Sequence, residues 1–573
     1  MRDLRDWDDD NVPVGTDADG VMVDLVIPRR VTHPCFTERT AGRDNESEHD
    51  EAPKDDDESS DNQPSAGTHR PAWVSRGAKD CPSEPGIRDV NHSGFSAVIF
   101  YNQVMSDRRC VQWVLRVFFG LVTFVLASGV ASAHDVSGSR FTSPLPLPLL
   151  FAGAGATVAL TALWLAFTER TPASTRRSWQ LMTIPSSIAR PARIGTQGVF
   201  FLGVVAALVL GFVGRQVAAE NFATVFTWPV WFRGVALLAV VVGNPWRLLS
   251  PWRALYRGLV RLEGRTIAVL GTYPSVLDRW PAVAGFILLI GIVENLTVIP
   301  RSPRLTTVIL AVYALVMIGG ATLYGTAWLR RADPIGVFYR LFSRVAAINV
   351  SRTDGDRYAV SLRPPWRGCL DPVASIPLAV LVIATVYTVS FDGFTNTRLF
   401  QSILFGARDA LGTGPGTSMF LYAVGLTGFV ATFGIGSWIV ERLGAGTGRE
   451  WRTAVRRFAP TVIPIAAAYE VAHNYPYVVR NLGQLFVISI RRLRPGIDSV
   501  SPLGWLSLPV FWGSQVGLIV LGHVIAVVAA HYVAVDRYDT PTAARRGHLP
   551  LVLLMVGYTV LSLWIISQPV VSG

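Results

Sequence analysis

The sequence predicts an all-α, polytopic membrane protein built as a bundle of about ten transmembrane helices. Half of the 573 residues are hydrophobic, only 16 % are charged, and the mean hydropathy is positive. Soluble globular chains of this length rarely show that balance. The apolar residues also fall into separate runs of about 20 residues, the length that crosses about 30 Å of hydrocarbon. A multi-pass helix bundle follows from these observations.

The first 104 residues differ from the rest in charge. They carry 22 acidic and 11 basic side chains, whereas residues 105–573 carry 19 acidic and 41 basic ones. Stretches such as HDEAPKDDDESSDNQPS lack the apolar side chains that would offset the entropy of ordering the chain. We therefore expect residues 1–104 to form a disordered acidic tail.

Residues 105–133 have the pattern of a secretory signal peptide. Basic residues follow Met105, an apolar stretch comes next, and Ala-Ser-Ala precedes His134. Two interpretations stay open. Met105 is the true start, the acidic tail is a misassigned extension and the mature chain begins at His134; or the tail is real and 105–133 remains as an uncleaved anchor helix.

Ten apolar runs follow in the predicted multi-pass domain, residues 134–573. Arginine-rich connections alternate with arginine-poor ones, and the positive-inside rule assigns the arginine-rich ones to the cytosol. The prediction is a multi-pass cell-membrane protein whose mature amino terminus and carboxyl terminus are both outside. The runs lie near 146–167, 197–215, 222–243, 280–298, 306–328, 372–390, 417–440, 459–478, 508–534 and 549–568.

Three cytosolic stretches have local patterns. Residues 334–348, PIGVFYRLFSRVAAI, place apolar and arginine side chains on opposite helical faces, which is typical of an interfacial helix. Residues 349–362, NVSRTDGDRYAVSL, alternate around an Asp-Gly turn and predict a β-hairpin. In NPWRLLSPWRAL the Pro-Trp-Arg element occurs twice and predicts anchors at the headgroup level, or else contacts to a lipid phosphate or anionic substrate. These anchors are Trp246, Arg247, Trp252 and Arg253.

The composition also bears on partners. The basic residues are almost all arginines spread over short loops, so the sequence predicts the lipid bilayer as a partner and no nucleic acid. The sequence leaves protein partners unknown. The four cysteines have no C-x-x-C spacing, so neither a disulfide framework nor a cysteine metal site is expected.

Ionisable residues within the apolar runs are the functional candidates, because each costs about 2.5–3.5 kcal/mol to insert. At about 1.5 Å of rise per residue, four of them share the middle-to-outer half of the membrane. These are Glu294, Glu470, His473 and His523. Arg215, Asp392 and His531 are further polar residues at the ends of predicted spans.

Glu470 and His473 are three residues apart and share one helix face. Together with Glu294 and His523 they resemble the way helical bundles build metal sites, and copper, zinc or iron would suit such ligands. The alternative is that Glu470 and His473 only form hydrogen bonds between helices. Solute or proton translocation is the other use of such a polar site.

Two residues have simpler interpretations. His531 is expected to be interfacial, near Asp536 and Arg537, and Asp392 in SFDGFTNT caps the outer end of its span or lines an outer vestibule.

A haem-linked or redox subunit is a third functional hypothesis. Only three histidines are counted in the predicted spans, which is too few to ligate two haems with two histidines each.

Several stretches are similar to a family of bacterial and archaeal polytopic membrane proteins, many labelled fenitrothion hydrolase. They include AHDVSGSRFTSPLPLPLL, NPWRLLSPWRALYRG, TVSFDGFTNT, AYEVAHNY, LGHVIAVVAAH and MVGYTVLSLWIISQ, between residues 133 and 568. The resemblance implies metal-dependent hydrolysis of a lipophilic organophosphate triester. In this sequence, Glu470 or Glu294 could supply the ligand or base for that chemistry, and His473 and His523 could be ligands. Neither G-x-S-x-G nor H-E-x-x-H occurs in the chain.

Overall fold

The computed structural model describes residues 146–167, 178–353, 357–411, 415–445, 448–491 and 500–568. The predicted acidic tail and the predicted signal peptide or anchor helix lie outside these residues, as does His134. The predictions made for them stay predictions.

The described residues form a helical bundle, as the composition predicts. Several helices begin with a capping side chain followed by proline, which suits the first helical turn because proline lacks an N–H. Ser302, Asp333 and Thr540 each cap a helix in this way. The helices are α1 (Leu147–Ala166), α2 (Ser186–Val213), α3 (Phe222–Val242), α4 (Trp246–Leu249), α5 (Pro251–Glu263), α6 (Trp280–Glu294), α7 (Pro303–Tyr324), α8 (Thr326–Arg331), α9 (Pro334–Phe342), α10 (Ile376–Thr395), α11 (Arg398–Leu411), α12 (Pro415–Gly444), α13 (Trp451–Phe458), α14 (Ile463–Ile490), α15 (Leu508–Arg537) and α16 (Pro541–Ser567).

Within the described ranges, eight helices are long and apolar enough to cross a membrane. They are α1, α2, α3, α7, α10, α12, α15 and α16. The two other predicted spans are helical as well, but α6 is shorter. Helix α14 has 28 residues and carries Glu470, His473 and Arg480, which make it less apolar than the others. The chain is therefore an integral membrane protein with an α-helical bundle.

A three-stranded antiparallel sheet marks one side of the bundle. Strands β2 (Ile348–Thr353) and β3 (Arg357–Leu362) form the predicted hairpin, with Ile348 opposite Leu362. Strand β1 (Trp179–Pro185) pairs with β3 and was not predicted. Because β1 joins α1 to α2, the sheet places that connection on the same side as the α9–α10 connection. We call this the sheet side.

Helix α9 corrects the prediction of an interfacial helix over residues 334–348. It ends at Phe342, and its apolar residues Ile335, Phe338 and Phe342 are buried in the protein core. The Asp333 carboxylate accepts hydrogen bonds from Trp246 Nε1 at 2.7 Å, Tyr313 Oη at 2.5 Å and Gly336 N at 3.0 Å. This fully buried cap fixes α9 inside the bundle instead of on a lipid surface.

The Pro-Trp-Arg repeats are also core elements. Trp246 and Trp252 are each 1 % exposed and contact the ring of Trp231 at centroid distances of 5.6 and 6.1 Å. Arg253 is buried and Arg247 is half-buried. The anchor interpretation is therefore wrong for both tryptophans and for Arg253, because these side chains are enclosed by protein. For Arg247 it stays a prediction.

Candidate functional site

The centre of the candidate site is Arg233, a buried arginine of α3. Its Nε donates to Glu294 Oε1 at 2.7 Å, and its Nη1 lies 2.9 and 3.1 Å from the two carboxylate oxygens of Glu470. Its Nη2 lies 3.9 Å from Asp392 Oδ2. A guanidinium presents several donors in a rigid fork, which allows one side chain to bind carboxylates from α6, α10 and α14 together.

His473 completes this group, which we call the Arg233 cluster: Arg233, Glu294, Asp392, Glu470 and His473. His473 Nε2 lies 3.3 Å from Asp392 Oδ2, the same oxygen that faces Arg233. The Asp392 carboxylate therefore lies between a fixed cation and an imidazole that can gain or lose a proton.

Exposure rises from one side of the cluster to the other. The side chains of Glu470 and Arg233 are 0 % and 4 % exposed, whereas those of Asp392 and His473 are 24 % and 31 % exposed. Asp392 also lies three residues before the last residue of α10. The Asp392–His473 pair is thus the accessible part of the cluster, and Glu470 is its closed part.

Irregular helix turns bring the cluster together. Residues Phe226–Gly234 of α3 and Ile287–Glu294 of α6 are π-helical, so Arg233 and Glu294 both lie in widened turns. Such turns are rare and occur often at functional sites. Pro229 lacks an N–H and interrupts the regular hydrogen bonding of α3. Tyr339 Oη donates to the carbonyl oxygens of Trp231 and Phe232, at 2.8 and 3.0 Å, and so stabilises the widened turn.

The cluster carries an excess of negative charge. One guanidinium faces three carboxylates, and only His473 can add a second positive charge. Burying unbalanced charge in a low-dielectric interior is costly, so a proton bound to the cluster stabilises it. The arrangement is suited chemically to proton uptake and release.

The predicted metal site contained Glu294, Glu470, His473 and His523. The structure brings the first three into one cluster with Arg233 between the two glutamates, so a guanidinium supplies the cation there. Among the described residues, no group of three or more His, Cys, Asp or Glu side chains is arranged to hold a metal ion. The copper, zinc or iron hypothesis stays a prediction that this geometry does not support.

Among the described residues, His523 forms no hydrogen bond or ion pair with the Arg233 cluster. Its ring is 1 % exposed, its Nδ1 lies 2.9 Å from the Ile519 carbonyl oxygen, and its nearest aromatic contact is Tyr558 of α16, at 5.9 Å between ring centroids. The seven residues between His523 and His531 on α15 are all alanine, valine or isoleucine. One of them, Val527, lies on the same helix face as both histidines and is fully buried.

His531 is buried against a histidine that the sequence argument did not count. Its ring centroid lies 5.5 Å from that of His548, near the start of α16. His548 lies just before the predicted run 549–568 and two residues after Arg546, so a count restricted to the predicted runs omits it. Among the described residues, four histidines therefore lie in helices of the bundle instead of the three counted from the sequence, and the haem hypothesis stays a prediction.

Two arginines have roles that differ from the sequence prediction, which included Arg215 among the candidates and omitted Arg233. Arg215 follows α2, is 69 % exposed and pairs with Glu220, so it belongs to the surface and not to the Arg233 cluster. Arg233 was missed, although FTWPVWFRGVALLAVVV shows one arginine in the middle of an apolar run. That isolated cation is the sequence feature that could have identified the centre of the site.

Comparisons with protein-family models, with curated proteins and with solved structures find no match to this chain. The resemblance to the fenitrothion hydrolase family therefore stays a prediction.

Proposed function

We propose that this integral membrane protein translocates protons, with the Asp392–His473 pair as the accessible proton-binding group and Arg233, Glu294 and Glu470 as its fixed charged neighbours. The single observation that carries the proposal is the convergence of four helices on one buried guanidinium. Ionisable groups within a membrane are costly, and they recur where ions and protons cross.

The charge balance supports this use of the site. Protonation of His473 places an imidazolium beside Asp392 and lowers the excess negative charge of the cluster. Loss of that proton restores the excess negative charge, and the positive charge of the neighbouring Arg233 guanidinium partly offsets it. The two states therefore differ by one proton without any need to move Arg233.

Proton uptake into reconstituted vesicles tests the proposal. The purified full-length chain is placed in liposomes that contain potassium and a pH-sensitive dye, and valinomycin then sets an inside-negative potential. We expect internal acidification that protein-free vesicles lack. In Asp392→Asn and His473→Gln the rate should fall about 100-fold, as for loss of an acid–base group.

Arg215→Gln is the matched control, because Arg215 also pairs with a glutamate but lies on the surface. Its uptake should equal that of the unaltered protein. Acidification by the unaltered chain no faster than in protein-free vesicles would overturn the proposal. Equal rates in the Asp392→Asn, His473→Gln and unaltered proteins would overturn it too.

A second candidate function is hydrolysis of a lipophilic phosphotriester, the activity that the family resemblance implies. One observation favours it: His473 is partly exposed and a carboxylate lies 3.3 Å from its Nε2, as in sites where an oriented imidazole acts as a general base. The test is release of nitrophenol from a nitrophenyl phosphotriester by purified protein supplied with divalent metals. No release, or release unchanged by His473→Gln, would overturn this candidate.

We also propose that the sheet side faces the cytosol. Arginines are concentrated in the connections on that side, 243–279, 325–375 and 445–462, which is the distribution that the positive-inside rule describes. Helix α16 ends on the opposite side, so a reporter fused to the carboxyl terminus should be active outside the cell. Activity of such a reporter only in the cytosol would contradict this orientation.

A further inference from the structure

Tyr469 and His523, on the packed helices α14 and α15, each hold a buried polar atom that has no hydrogen-bond partner within the described residues. These atoms are the hydroxyl oxygen of Tyr469 and Nε2 of His523, and each residue is 1 % exposed. Buried polar groups are almost always hydrogen-bonded, either to protein or to ordered water. Two such atoms in one region indicate bound water or another small polar ligand.

Tyr469 extends the cluster inward. It lies one helical turn before His473 on α14, and the two rings are 6.1 Å apart at their centroids. Its hydroxyl lies against Gly393, since a Cβ atom built on Gly393 would be 2.6 Å from it. Gly393 directly follows Asp392, so the Tyr469 hydroxyl adjoins the backbone that carries the accessible carboxylate.

Tyr558 of α16 contacts helix α10 about one turn before Gly393. Its hydroxyl bonds to Ser390 Oγ and lies 3.1 Å from the Val386 carbonyl oxygen. Ser390 and Gly393 are three residues apart on α10, which is about 4.5 Å along the helix axis. The hydroxyls of Tyr469, Ser390 and Tyr558 therefore lie along one stretch of α10. The ring centroids of Tyr558 and His523 are 5.9 Å apart.

The bonding of His523 defines the role of its free nitrogen. A carbonyl oxygen only accepts hydrogen bonds, so the 2.9 Å contact between Nδ1 and Ile519 requires a hydrogen on Nδ1. In the neutral ring Nε2 then has a free lone pair. His523 thus holds an unoccupied proton-accepting atom, buried and beside a hydroxyl-bearing ring.

We propose that His523 is an inner proton-binding site, reached from His473 through the hydroxyls of Tyr469, Ser390 and Tyr558 and through bound water. This inference rests on the proposed function, because it names the route by which protons leave the Arg233 cluster. Tyr558 faces His523 from a neighbouring helix, and Ser390 bonds to Tyr558. His523 forms no ion pair within the described part of the chain.

The proton balance of the step is simple. The His473 imidazolium gives up one proton and becomes neutral. Each hydroxyl or water along the route accepts a proton on oxygen and donates its own, so it returns to its starting state. Nε2 of His523 receives the last proton, and the net result is one positive charge moved from His473 to His523.

Proton exchange at the His523 ring tests this route. Full-length protein with ¹⁵N-labelled histidine is purified in detergent, and the His523 resonance is assigned by its loss in His523→Gln. We expect its ring proton to exchange with water rapidly. In Tyr558→Phe and in Tyr469→Phe the exchange should slow about tenfold, the effect on a rate of losing one hydrogen-bonded step.

Tyr422→Phe is the control. Tyr422 is equally buried and its hydroxyl lies 2.6 Å from Thr388 on the same helix α10, but it is outside the route. Exchange at His523 should be unchanged in this variant. If Tyr558→Phe fails to fold, Tyr469→Phe carries the test alone.

Vesicle uptake measured on the same variants separates this inference from the proposed function. Normal uptake by the unaltered protein, with His523 exchange unaffected by both tyrosine changes, overturns the route and leaves translocation standing. Slowed exchange in the variants, with no uptake by the unaltered protein, supports the route and overturns translocation. Uptake about tenfold lower in His523→Gln supports both.

Discussion

Arg233 and Glu470 are 237 positions apart in the sequence, yet one guanidinium nitrogen lies 2.9 and 3.1 Å from the two carboxylate oxygens. The glutamate is fully buried, so the pair is isolated from solvent. Breaking a buried pair by removing one partner leaves an uncompensated charge, which is far more costly than losing an exposed pair. Stability and function should therefore both depend on Arg233.

The first prediction concerns stability. Arg233→Gln should lower the free energy of unfolding by about 3–5 kcal/mol, because Glu294 and Glu470 lose their counter-ion. Denaturant titration in detergent, followed by circular dichroism, measures the change. Arg215→Gln, at an exposed pair, should cause no measurable loss. Equal stability of the two variants would show that Arg233 does not hold the cluster together.

The second prediction concerns metal binding. Without the guanidinium, three carboxylates and one imidazole remain together, and that donor set suits a divalent cation such as zinc. We expect Arg233→Ala to retain about one zinc ion per chain after dialysis, whereas the unaltered protein retains none at this site. Elemental analysis of both proteins decides. Stoichiometric zinc in the unaltered protein that is lost in Glu470→Gln would contradict the assignment of Arg233 as the cation.

The third prediction concerns the thiol of Cys369, which lies outside the membrane-spanning helices. Burial raises the pKa of this thiol to about 12, and the nearby Arg344 and Arg363 offset only part of that shift. The thiolate is the reactive form, so Cys369 in the folded protein should resist maleimide at neutral pH. Mass spectrometry of the Cys369 peptide, before and after denaturation in detergent, measures the labelling.

The same pKa shift gives a pH dependence of stability. The pKa of an unfolded cysteine thiol is about 8.5, so between about pH 8.5 and 12 the unfolded chain binds fewer protons than the folded one. The contribution of Cys369 is complete below that range and is lost as the pH rises through it. Cys369→Ser removes this contribution, and unfolding curves that show the same pH dependence in both proteins would contradict the argument.

The fourth prediction concerns the contact between α14 and α15. A Cβ atom on Gly522 would meet the Pro464 carbonyl oxygen at 2.7 Å and would also clash with Ala468 Cβ. Gly522→Ala should therefore destabilise the protein by about 1–3 kcal/mol. Gly434→Ala is the control, because a Cβ there meets nothing within 4 Å and alanine favours a helix. Equal unfolding midpoints for the two variants would mean that these helices separate easily.

The helices were predictable because apolar runs of membrane-crossing length are a local property of the sequence. The β2–β3 hairpin was predictable for the same reason, since the Asp-Gly turn and its flanking residues are adjacent. Strand β1 was not, because Trp179 pairs with Leu362, which lies 183 positions later in the sequence.

The candidate site was predictable only in part. Glu294, Glu470 and His473 stand out as ionisable residues in apolar runs, and Asp392 stands out at the end of its run, so four of the five cluster residues were predictable. Their partner was not, because contact between α3, α6 and α14 depends on packing and on two π-helical segments that leave no clear pattern in the sequence. Trp246 and Trp252 were assigned a membrane-anchoring role that the structure contradicts. A Pro-Trp-Arg sequence looks the same whether its side chains lie at the headgroup level or in a buried aromatic cluster.

The apolar stretch between His523 and His531 has an electrical consequence. Eight residues of helix rise separate the two rings by about 12 Å, and the fully buried Val527 lies between them. When the polar groups on each side of this stretch are at the electrical potential of the nearer solution, the membrane voltage falls mainly across the apolar residues between His523 and His531. A proton that crosses it then passes through most of the field, which amounts to about 2.3 kcal/mol for each 100 mV. Turnover would respond steeply to voltage although the charged cluster itself stays still.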